Sequence, residues 1–317
     1  MRLYEEAEKM SFLGLEFYRF GFFVMLGLLA AAGVIGFLCW AKRCEKGTAP
    51  LALFLSLVLG AICSRAGFCL MNRELGAMMP FSSWLQISGG GWSMSGLVAG
   101  VFLAGWITAR MTRQNTGMVL DILVCSLPLF MALERAGEGC VPEFDYSREL
   151  STGFLQGSFL TFQDEYGTYL ATWKLAGILM LILFPILILD IIHGKKDGDT
   201  ALLFLMLFGA FSVLLESLRY DRFLSISFVG LEQVLSAVFL AIGVFICAGR
   251  VWKKAGKLPL LSVLCMFLTV GVAVGLEFAL DRTTFSKVLI YVGYILIVAV
   301  PVCMGIRLRK LATSRMG

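Results

Sequence analysis

The chain has 317 residues, of which 59% are hydrophobic and 15% charged. Soluble domains are nearer half apolar and a quarter charged, so the composition excludes a soluble domain and predicts an integral membrane protein. The net charge of +5 gives no reason to expect a nucleic-acid partner. The lone His193 and the 9 cysteines, which form no CxxC pair, predict neither a metal site nor another cofactor.

Apolar segments of spanning length recur along the whole chain. They lie at about 19–40, 50–71, 93–109, 117–133, 169–192, 199–215, 228–248, 259–276 and 286–306. The predicted fold is therefore all-α, a polytopic integral membrane protein of about nine transmembrane helices.

Basic residues follow every second apolar segment, which predicts the orientation. These residues are Lys42, Arg43, Lys46, Arg110, Arg113, Lys195, Lys196, Arg250, Lys253, Lys254, Lys257, Arg307, Arg309, Lys310 and Arg315. Because short basic loops stay in the cytoplasm, we expect the N-terminus outside and the C-terminus in the cytoplasm. The acidic or mixed loops then face out, and the longest, about 134–168, is long enough to hold short elements of its own.

The first unusual charge is Arg65, inside the second apolar segment. An arginine in that position is costly unless it is paired or hydrated. A functional role, a structural ion pair and snorkelling to the interface all remain open.

A glycine-rich stretch, "SGGGWSMSGLVAG", opens the third helix at 88–100. Open N–H groups at a helix start can bind an anion, and glycine lets a ligand approach closely. Gly96 and Gly100 also form a small-xxx-small pair, which is typical of tight helix packing. The stretch by itself favours packing.

The stretch "ALERAGEGCVPEF", 132–144, brings Glu134, Arg135, Glu138 and Glu143 to the predicted outer end of the fourth helix. Ionised groups there must be partnered or hydrated. This requirement makes the stretch a candidate binding site.

Two later stretches carry polar groups at the same predicted level. Glu216 and Arg219 are three residues apart and share a helix face, as a surface ion pair or as a headgroup site. Glu232 and Gln233 open the seventh helix, where capping is the simpler interpretation. With Arg65 and Arg135, these residues predict a phosphate ligand, most plausibly that of a lipid.

The order of these motifs resembles that of the prolipoprotein diacylglyceryl transferase family. The family's glycine-rich motif, G-x-S-F-H-G-G-x-x-G, is similar to "GWSMSGLVAG", and its arginine motif, G-R-x-G-N-F-x-N-G-E, to "ERAGEGCVPE". Its later motifs are similar to "FSVLLESLR" and "LEQVLS", and an earlier G-R-x-G to "SRAG". The resemblance covers about 18–248.

This resemblance implies a seven-helix core in the bacterial inner membrane. We expect an extracytoplasmic segment at 1–18, the transferase-like core at 19–248, and two further helices with a basic cytoplasmic tail at 249–317. The implied reaction moves the diacylglyceryl group of phosphatidylglycerol to the lipobox cysteine of a preprolipoprotein, at the outer side of the membrane. The implied partners are phosphatidylglycerol, the lipobox segment and the lipid bilayer.

The resemblance also implies roles for individual residues. Arg135, Glu138 and Glu143 are the expected catalytic residues. The expected substrate-binding residues are Arg65, Ser95, Gly96, Glu216, Arg219 and Gln233. Arg135 is the expected phosphate contact, and Glu138 or Glu134 would replace the family's histidine as the base.

The chain departs from the family pattern at four positions. Ser95 replaces the histidine of the glycine-rich motif, and Ser212 replaces an arginine. Glu138 stands at an asparagine position, and Phe20 falls where the first helix is expected to carry tyrosine. These departures favour an alternative, a paralogue with another acceptor or a non-catalytic phospholipid-binding protein.

A transporter is the third alternative. A transport path requires polar residues through the cytoplasmic half of the helices as well. That half is mostly apolar, apart from Asp121 and Asp190, which argues against a transporter.

Overall fold

The computed structural model describes residues 9–12, 15–71, 91–138, 157–164, 167–194, 196–219, 225–226, 229–282 and 286–314. Its helices are α1 (Arg19–Ala41), α2 (Thr48–Met71), α3 (Met94–Met111), α4 (Thr116–Glu138), α5 (Thr172–His193), α6 (Asp199–Leu218), α7 (Leu231–Val251), α8 (Leu258–Arg282) and α9 (Lys287–Ser314). Its strands are β1 (Lys9–Phe12), β2 (Leu15–Tyr18), β3 (Thr161–Asp164), β4 (Gly167–Leu170), β5 (Ser225–Ile226) and β6 (Val229–Gly230).

Within these ranges, nine helices are long and apolar enough to cross a membrane. This confirms the predicted all-α, multi-pass architecture. Large apolar side chains such as Leu29, Phe54 and Phe267 are more than half exposed, which suits a surface covered by lipid. The orientation of the termini remains a prediction.

Short antiparallel hairpins precede three of the helices. Strand β1 pairs with β2 before α1, β3 with β4 before α5, and β5 with β6 before α7. The rings of Phe162 and Tyr169 stack across the second hairpin at 5.6 Å between centroids. The long loop after α4 was expected to hold short elements, and β3 begins inside it.

Several helices continue beyond the apolar segments that predicted them. Helix α4 reaches Glu138, α7 reaches Val251 and α9 reaches Ser314. Glutamate, arginine and lysine propagate a helix nearly as well as leucine, whereas hydropathy marks only the part suited to the hydrocarbon. Arg135, Arg250 and Arg309 therefore lie on helices, in positions fixed by the helical backbone.

The chain divides into two compact units. The first is Met1–Leu189 with Leu218–Arg222, and the second is Asp190–Ser217 with Phe223–Gly317. In the first unit, α1 packs against α4 and α2 packs against α3. A β-carbon at Gly96 would lie 2.4 Å from the carbonyl oxygen of Cys63, and one at Gly100 equally close to that of Leu59. These glycines let α2 and α3 touch backbone to backbone, which confirms the packing interpretation.

In the second unit, α7, α8 and α9 pack against one another. Helix α6 approaches α7 at Gly209, where a β-carbon would lie 2.6 Å from the carbonyl oxygen of Ser236. A β-carbon at Gly305 of α9 would collide with the sulfur of Met206 in α6. Small residues therefore set the helix spacing in this unit too.

Candidate functional site

The arginine motif forms the last turn of α4. Arg135 Nη1 lies 2.5 Å from both carboxylate oxygens of Glu138, one turn further along the helix. Its Nε lies 3.6 Å from Oε2 of the preceding Glu134. The pairing with Glu138 exists because α4 stays helical through that residue, which places positions three apart on one face.

These three side chains are largely withdrawn from solvent, with only 13 to 15% of each exposed. Glu134 also interacts electrostatically with Arg219, which follows directly after α6. Two arginines thus balance two glutamates in this cluster. Among the described residues, no donor hydrogen-bonds the buried Oε2 of Glu134. We call Glu134, Arg135, Glu138 and Arg219 the arginine cluster.

Helices α1 and α5 pack closely beside this turn. A β-carbon at Gly137 would lie 3.0 Å from Cβ of Phe23 and 3.2 Å from the ring of Phe20. One at Gly177 would lie 3.8 Å from Cβ of Arg135. Phe20, the position expected to match the family's tyrosine, therefore lies next to the arginine motif. A phenylalanine there supplies apolar contact but no hydroxyl.

Arg65 is tied to the glycine-rich start of α3. It is 9% exposed, and its Nη1 donates a hydrogen bond of 2.9 Å to the carbonyl oxygen of Gly91. The adjacent Ser64 hydroxyl donates to the carbonyl oxygen of Ser93, whose N–H donates back to that of Ser64. Arg65 is therefore held against the start of α3.

The start of α3 is capped from within the chain. The side chain of Ser93 accepts a 3.0 Å hydrogen bond from the N–H of Gly96. One N–H group considered for anion binding is therefore already used. Ser95, at the position of the family's histidine, is buried in the first turn of the helix. The assignment of Ser95 and Gly96 to substrate binding stays a prediction.

Glu216 and Gln233 belong to the second unit. Glu216 is half-buried in the last turn of α6. Gln233 is 3% exposed in the first turn of α7, and its Nε2 donates hydrogen bonds of 2.8 Å to Glu277 Oε1 and to Tyr294 Oη. We call Gln233, Glu277 and Tyr294 the Gln233 triad. Two of its members come from α8 and α9, the helices expected to lie beyond the transferase-like core.

The sequence analysis did not identify Glu277 or Tyr294 as site candidates. Glu277 stands in the apolar stretch "VAVGLEFAL", and an ionisable residue inside an apolar helix is itself a signal of a functional site. Tyr294 gave no comparable signal, because a tyrosine in a membrane helix is common near the interface.

A second charged network was also missed. Arg309 of α9 binds both carboxylate oxygens of Asp190, at 2.7 and 2.5 Å, and donates to the carbonyl oxygen of Asp199. Arg250 of α7 pairs with the Asp199 carboxylate. Thr200 donates a 2.9 Å hydrogen bond to Asp190. We call these residues, with Thr313, the helix-end network.

The structure thus brings some predicted site residues together. Arg135, Glu138 and Arg219 meet in the arginine cluster, and Arg65 joins the start of α3. Glu143 lies outside the described residues. Over the described ranges, no group of three or more histidine, cysteine, aspartate or glutamate side chains is arranged to hold a metal ion.

Most of the chain matches a known protein family. The family model described as prolipoprotein diacylglyceryl transferase matches residues 9–248. Phosphatidylglycerol–prolipoprotein diacylglyceryl transferases of Staphylococcus aureus strains Newman and JH9 are each 24% identical over 257 residues, 75% of this chain and 86% of the relative. Helices α8 and α9 follow the matched residues.

Proposed function

Because the chain belongs to the prolipoprotein diacylglyceryl transferase family, we propose that it transfers the diacylglyceryl group of phosphatidylglycerol to a prolipoprotein. The acceptor is the lipobox cysteine, and the reaction takes place at the outer side of the bacterial inner membrane. The observation that carries the proposal is the arginine cluster, a largely buried pair of arginines and carboxylates at the end of an apolar helix.

The reaction requires a thiolate and a stabilised leaving group. The cysteine sulfur attacks the glyceryl carbon that bears the phosphate, a C–S bond forms and the C–O bond breaks. Glycerol phosphate leaves with the bonding electron pair, and the thiol proton passes to a base. Since a free cysteine has a pKa of about 8.5, a base raises the thiolate fraction at neutral pH. An arginine stabilises the charge that develops on the departing phosphate.

Arg135 is the proposed phosphate ligand. Its planar guanidinium suits bidentate contact with phosphate oxygens. In the structure it is paired with Glu138, so the lipid phosphate would replace one carboxylate as its partner. Arg219 adds a second positive charge to the same cluster. Arg65 and Glu216 remain candidates for headgroup binding.

Glu134 is the better placed of the two candidate bases. Both oxygens of Glu138 contact Arg135, so this carboxylate is occupied by the guanidinium. Oε2 of Glu134 accepts no hydrogen bond within the part of the chain that the structure describes. An oxygen without a donor is available for the thiol proton. Glu138 would then hold Arg135 in position.

The direct test is a thioether-forming assay. The purified full chain is mixed with phosphatidylglycerol and a lipobox peptide, and lipidated peptide is quantified by mass spectrometry. We expect product from the wild type and a loss of about 100-fold or more for Arg135→Ala, as for the removal of other groups that stabilise developing charge.

Arg110→Ala is the matched control. Arg110 is also a helix-end arginine but is exposed, so its removal should leave the rate close to that of the wild type. Equal rates for the wild type and Arg135→Ala would contradict the assignment of Arg135. A wild type without product would contradict the proposed transfer.

A second candidate function is lipid binding without this transfer, or transfer to another acceptor. The ion pair between Arg135 and Glu138 favours it, because a carboxylate at that position competes with phosphate for the guanidinium. The same samples decide between the two. Phosphatidylglycerol bound by the wild type, lost in Arg135→Ala and never converted to product, would favour this second function.

A further inference from the structure

Helix α1 ends in a turn that brings two cysteines together. The N–H of Cys44 donates a 2.9 Å hydrogen bond to the carbonyl oxygen of Cys39, and that of Arg43 donates one of 3.1 Å to Trp40. Arg43 has a φ of 55°, in the left-handed region. These features define a Schellman motif, in which the third-last helical residue often contacts the second residue after the C-cap. Here those residues are Cys39 and Cys44, and their thiols hydrogen-bond to each other.

The backbone hydrogen bond also keeps the two α-carbons within reach of a disulfide. From the 2.9 Å N···O distance and standard bond lengths, the α-carbons of Cys39 and Cys44 are at most about 6.8 Å apart. Disulfides usually join α-carbons up to about 6.8 Å apart whose side chains point towards each other. Because the thiols already touch, a small movement of the sulfurs is enough to close the bond.

The two thiols differ in their access to water. Cys39 is 6% exposed in the last turn of α1, whereas Cys44 is half-buried in the turn that follows. The neighbouring Lys42 and Arg43 are exposed. A reagent in water therefore reaches Cys44 first, and Cys39 lies beside it to react second. An accessible cysteine next to a second thiol is typical of reversible redox sites.

We propose that Cys39 and Cys44 are a reversible redox site, which closes a disulfide across the end of α1 in exchange with a low-molecular-weight disulfide. The Cys44 thiolate attacks one sulfur of the oxidant, and the first thiol of the oxidant leaves. Cys39 then loses its proton and attacks the Cys44 sulfur, and the second thiol leaves. Two electrons pass from the protein to the oxidant, and the two cysteine protons are balanced by those on the released thiols.

This site is separate from the arginine cluster. Phe20 and Phe23, at the start of α1, lie beside Gly137 of the arginine motif, whereas Cys39 lies in the last turn of the helix. The basic residues of the following loop predict its cytoplasmic side. Since that compartment is reducing, we expect two thiols as the ordinary state and the disulfide only under oxidising conditions. Burial raises the pKa of the Cys44 thiol, which slows the exchange at neutral pH.

The experiment is a titration of the full chain in nanodiscs with mixtures of oxidised and reduced glutathione. Free thiols are then blocked with N-ethylmaleimide, and the protein is digested with trypsin and analysed by mass spectrometry. Trypsin cleaves after Lys42 and Arg43, between the two cysteines, so a disulfide keeps the resulting peptides joined. We expect the joined peptide to replace the two maleimide-labelled peptides as the oxidised fraction rises, and dithiothreitol to reverse the change.

Cys63 and Cys69 are the internal control. One is half-buried and the other buried, like the proposed pair, but they are six residues apart on the continuous helix α2. The helical rise separates their α-carbons by about 9 Å, which is too far for a disulfide. Both should stay labelled by maleimide in the same samples.

Two variants separate the steps of the exchange. Cys44→Ser should abolish the joined peptide, because the accessible thiol is lost. Cys39→Ser should leave a glutathione adduct on Cys44, the trapped product of the first step. The adduct in this variant should disappear on treatment with dithiothreitol, as the wild-type disulfide does.

Maleimide labelling of both Cys39 and Cys44 at every glutathione ratio would overturn the proposal. A glutathione adduct on Cys44 of the wild type without any joined peptide would overturn it as well. Equal joining of Cys63 to Cys69 would show that the pairing does not follow the geometry of the turn. The wild-type titration decides the question even where a serine variant fails to fold.

Discussion

The arginine cluster and the helix-end network are both made of arginines and carboxylates in apolar helices, but they are built differently. In the cluster, Arg135 and its two glutamates are neighbours on one helix. In the network, Arg309 reaches Asp190 from 119 residues away and donates to the carbonyl oxygen of Asp199. The contacts of Arg135 with its glutamates need only a helical turn, whereas the network exists only when several helices are assembled.

The two regions also differ in how completely their polar atoms are bonded. The carboxylate oxygens of Asp190 and Asp199 are engaged by Arg309, Arg250, Thr200 and Thr313. In the cluster, a buried oxygen of Glu134 has no hydrogen-bond donor among the described residues. Fully bonded ionic groups suit a structural role, and an unsatisfied one suits exchange with a ligand. The difference teaches that ionic content in a membrane helix does not by itself mark a binding site.

The largest expected effect is a loss of stability when the helix-end network is broken. Arg309→Met leaves the part-buried Asp190 without its bidentate partner, and breaking a buried pair costs about 3–5 kcal/mol. We expect the free energy of unfolding in detergent to fall by that amount, with transfer per folded molecule unchanged. Lys310→Met, an exposed neighbour on the same helix, is the control and should cost little. Equal stability of the two variants would contradict a structural role for the helix-end network.

Substitutions in the arginine cluster should have the opposite effect, a loss of activity with little loss of stability. Glu134→Gln removes the proposed base, so the turnover number should fall about 100-fold, the lower end for general base catalysis, with little change in unfolding free energy. Glu138→Gln should leave the turnover number closer to that of the wild type, because its oxygens serve Arg135. Steady-state kinetics at saturating lipid decides between them. A larger loss for Glu138→Gln would transfer the role of base to Glu138.

The smallest expected effect is the loss of one neutral hydrogen bond in the helix-end network, compared with the loss of its ion pair. Thr200→Val removes one neutral donor to Asp190 and keeps the ion pair to Arg309. The unfolding free energy should fall by about 1 kcal/mol, the net value of one hydrogen bond. Thermal unfolding of matched samples measures this change. A loss as large as that of Arg309→Met would mean that the hydroxyl, rather than the ion pair, holds Asp190.

The sequence predicted most of the fold because hydropathy responds directly to the bilayer. Nine apolar segments gave the nine spanning helices of the described ranges. The charges of Arg135 and Glu138 predicted that each needs a partner or hydration, and the two are partners because both lie on one helix. The paired glycines at 96 and 100 favoured tight helix packing, and α3 makes its close approach to another helix at these glycines. In each case the physical cause acts over a few residues.

The remaining features depend on contacts between distant segments. Gln233 was expected to contact the headgroup, but its amide nitrogen binds Glu277 and Tyr294, 44 and 61 residues away. Arg250 was counted only as a loop charge, whereas it lies on α7 and pairs with Asp199. Hydropathy and spacing carry no information on which distant helices become neighbours. The roles of Arg135, Glu138 and Arg219 therefore remain predictions, as do the assignments to the site of Arg65, Ser95, Gly96, Glu143, Glu216 and Gln233.

The helix-end network has a consequence for biosynthesis. During translation, Asp190 leaves the ribosome 119 residues before Arg309, which binds its carboxylate. Gln233 likewise precedes Tyr294 by 61 residues. Until α9 is inserted, Asp190 lacks its arginine partner and Gln233 its phenol partner, and an unpaired charge in a membrane is costly. Insertion of α9 is therefore the step that supplies the last partners of these polar groups.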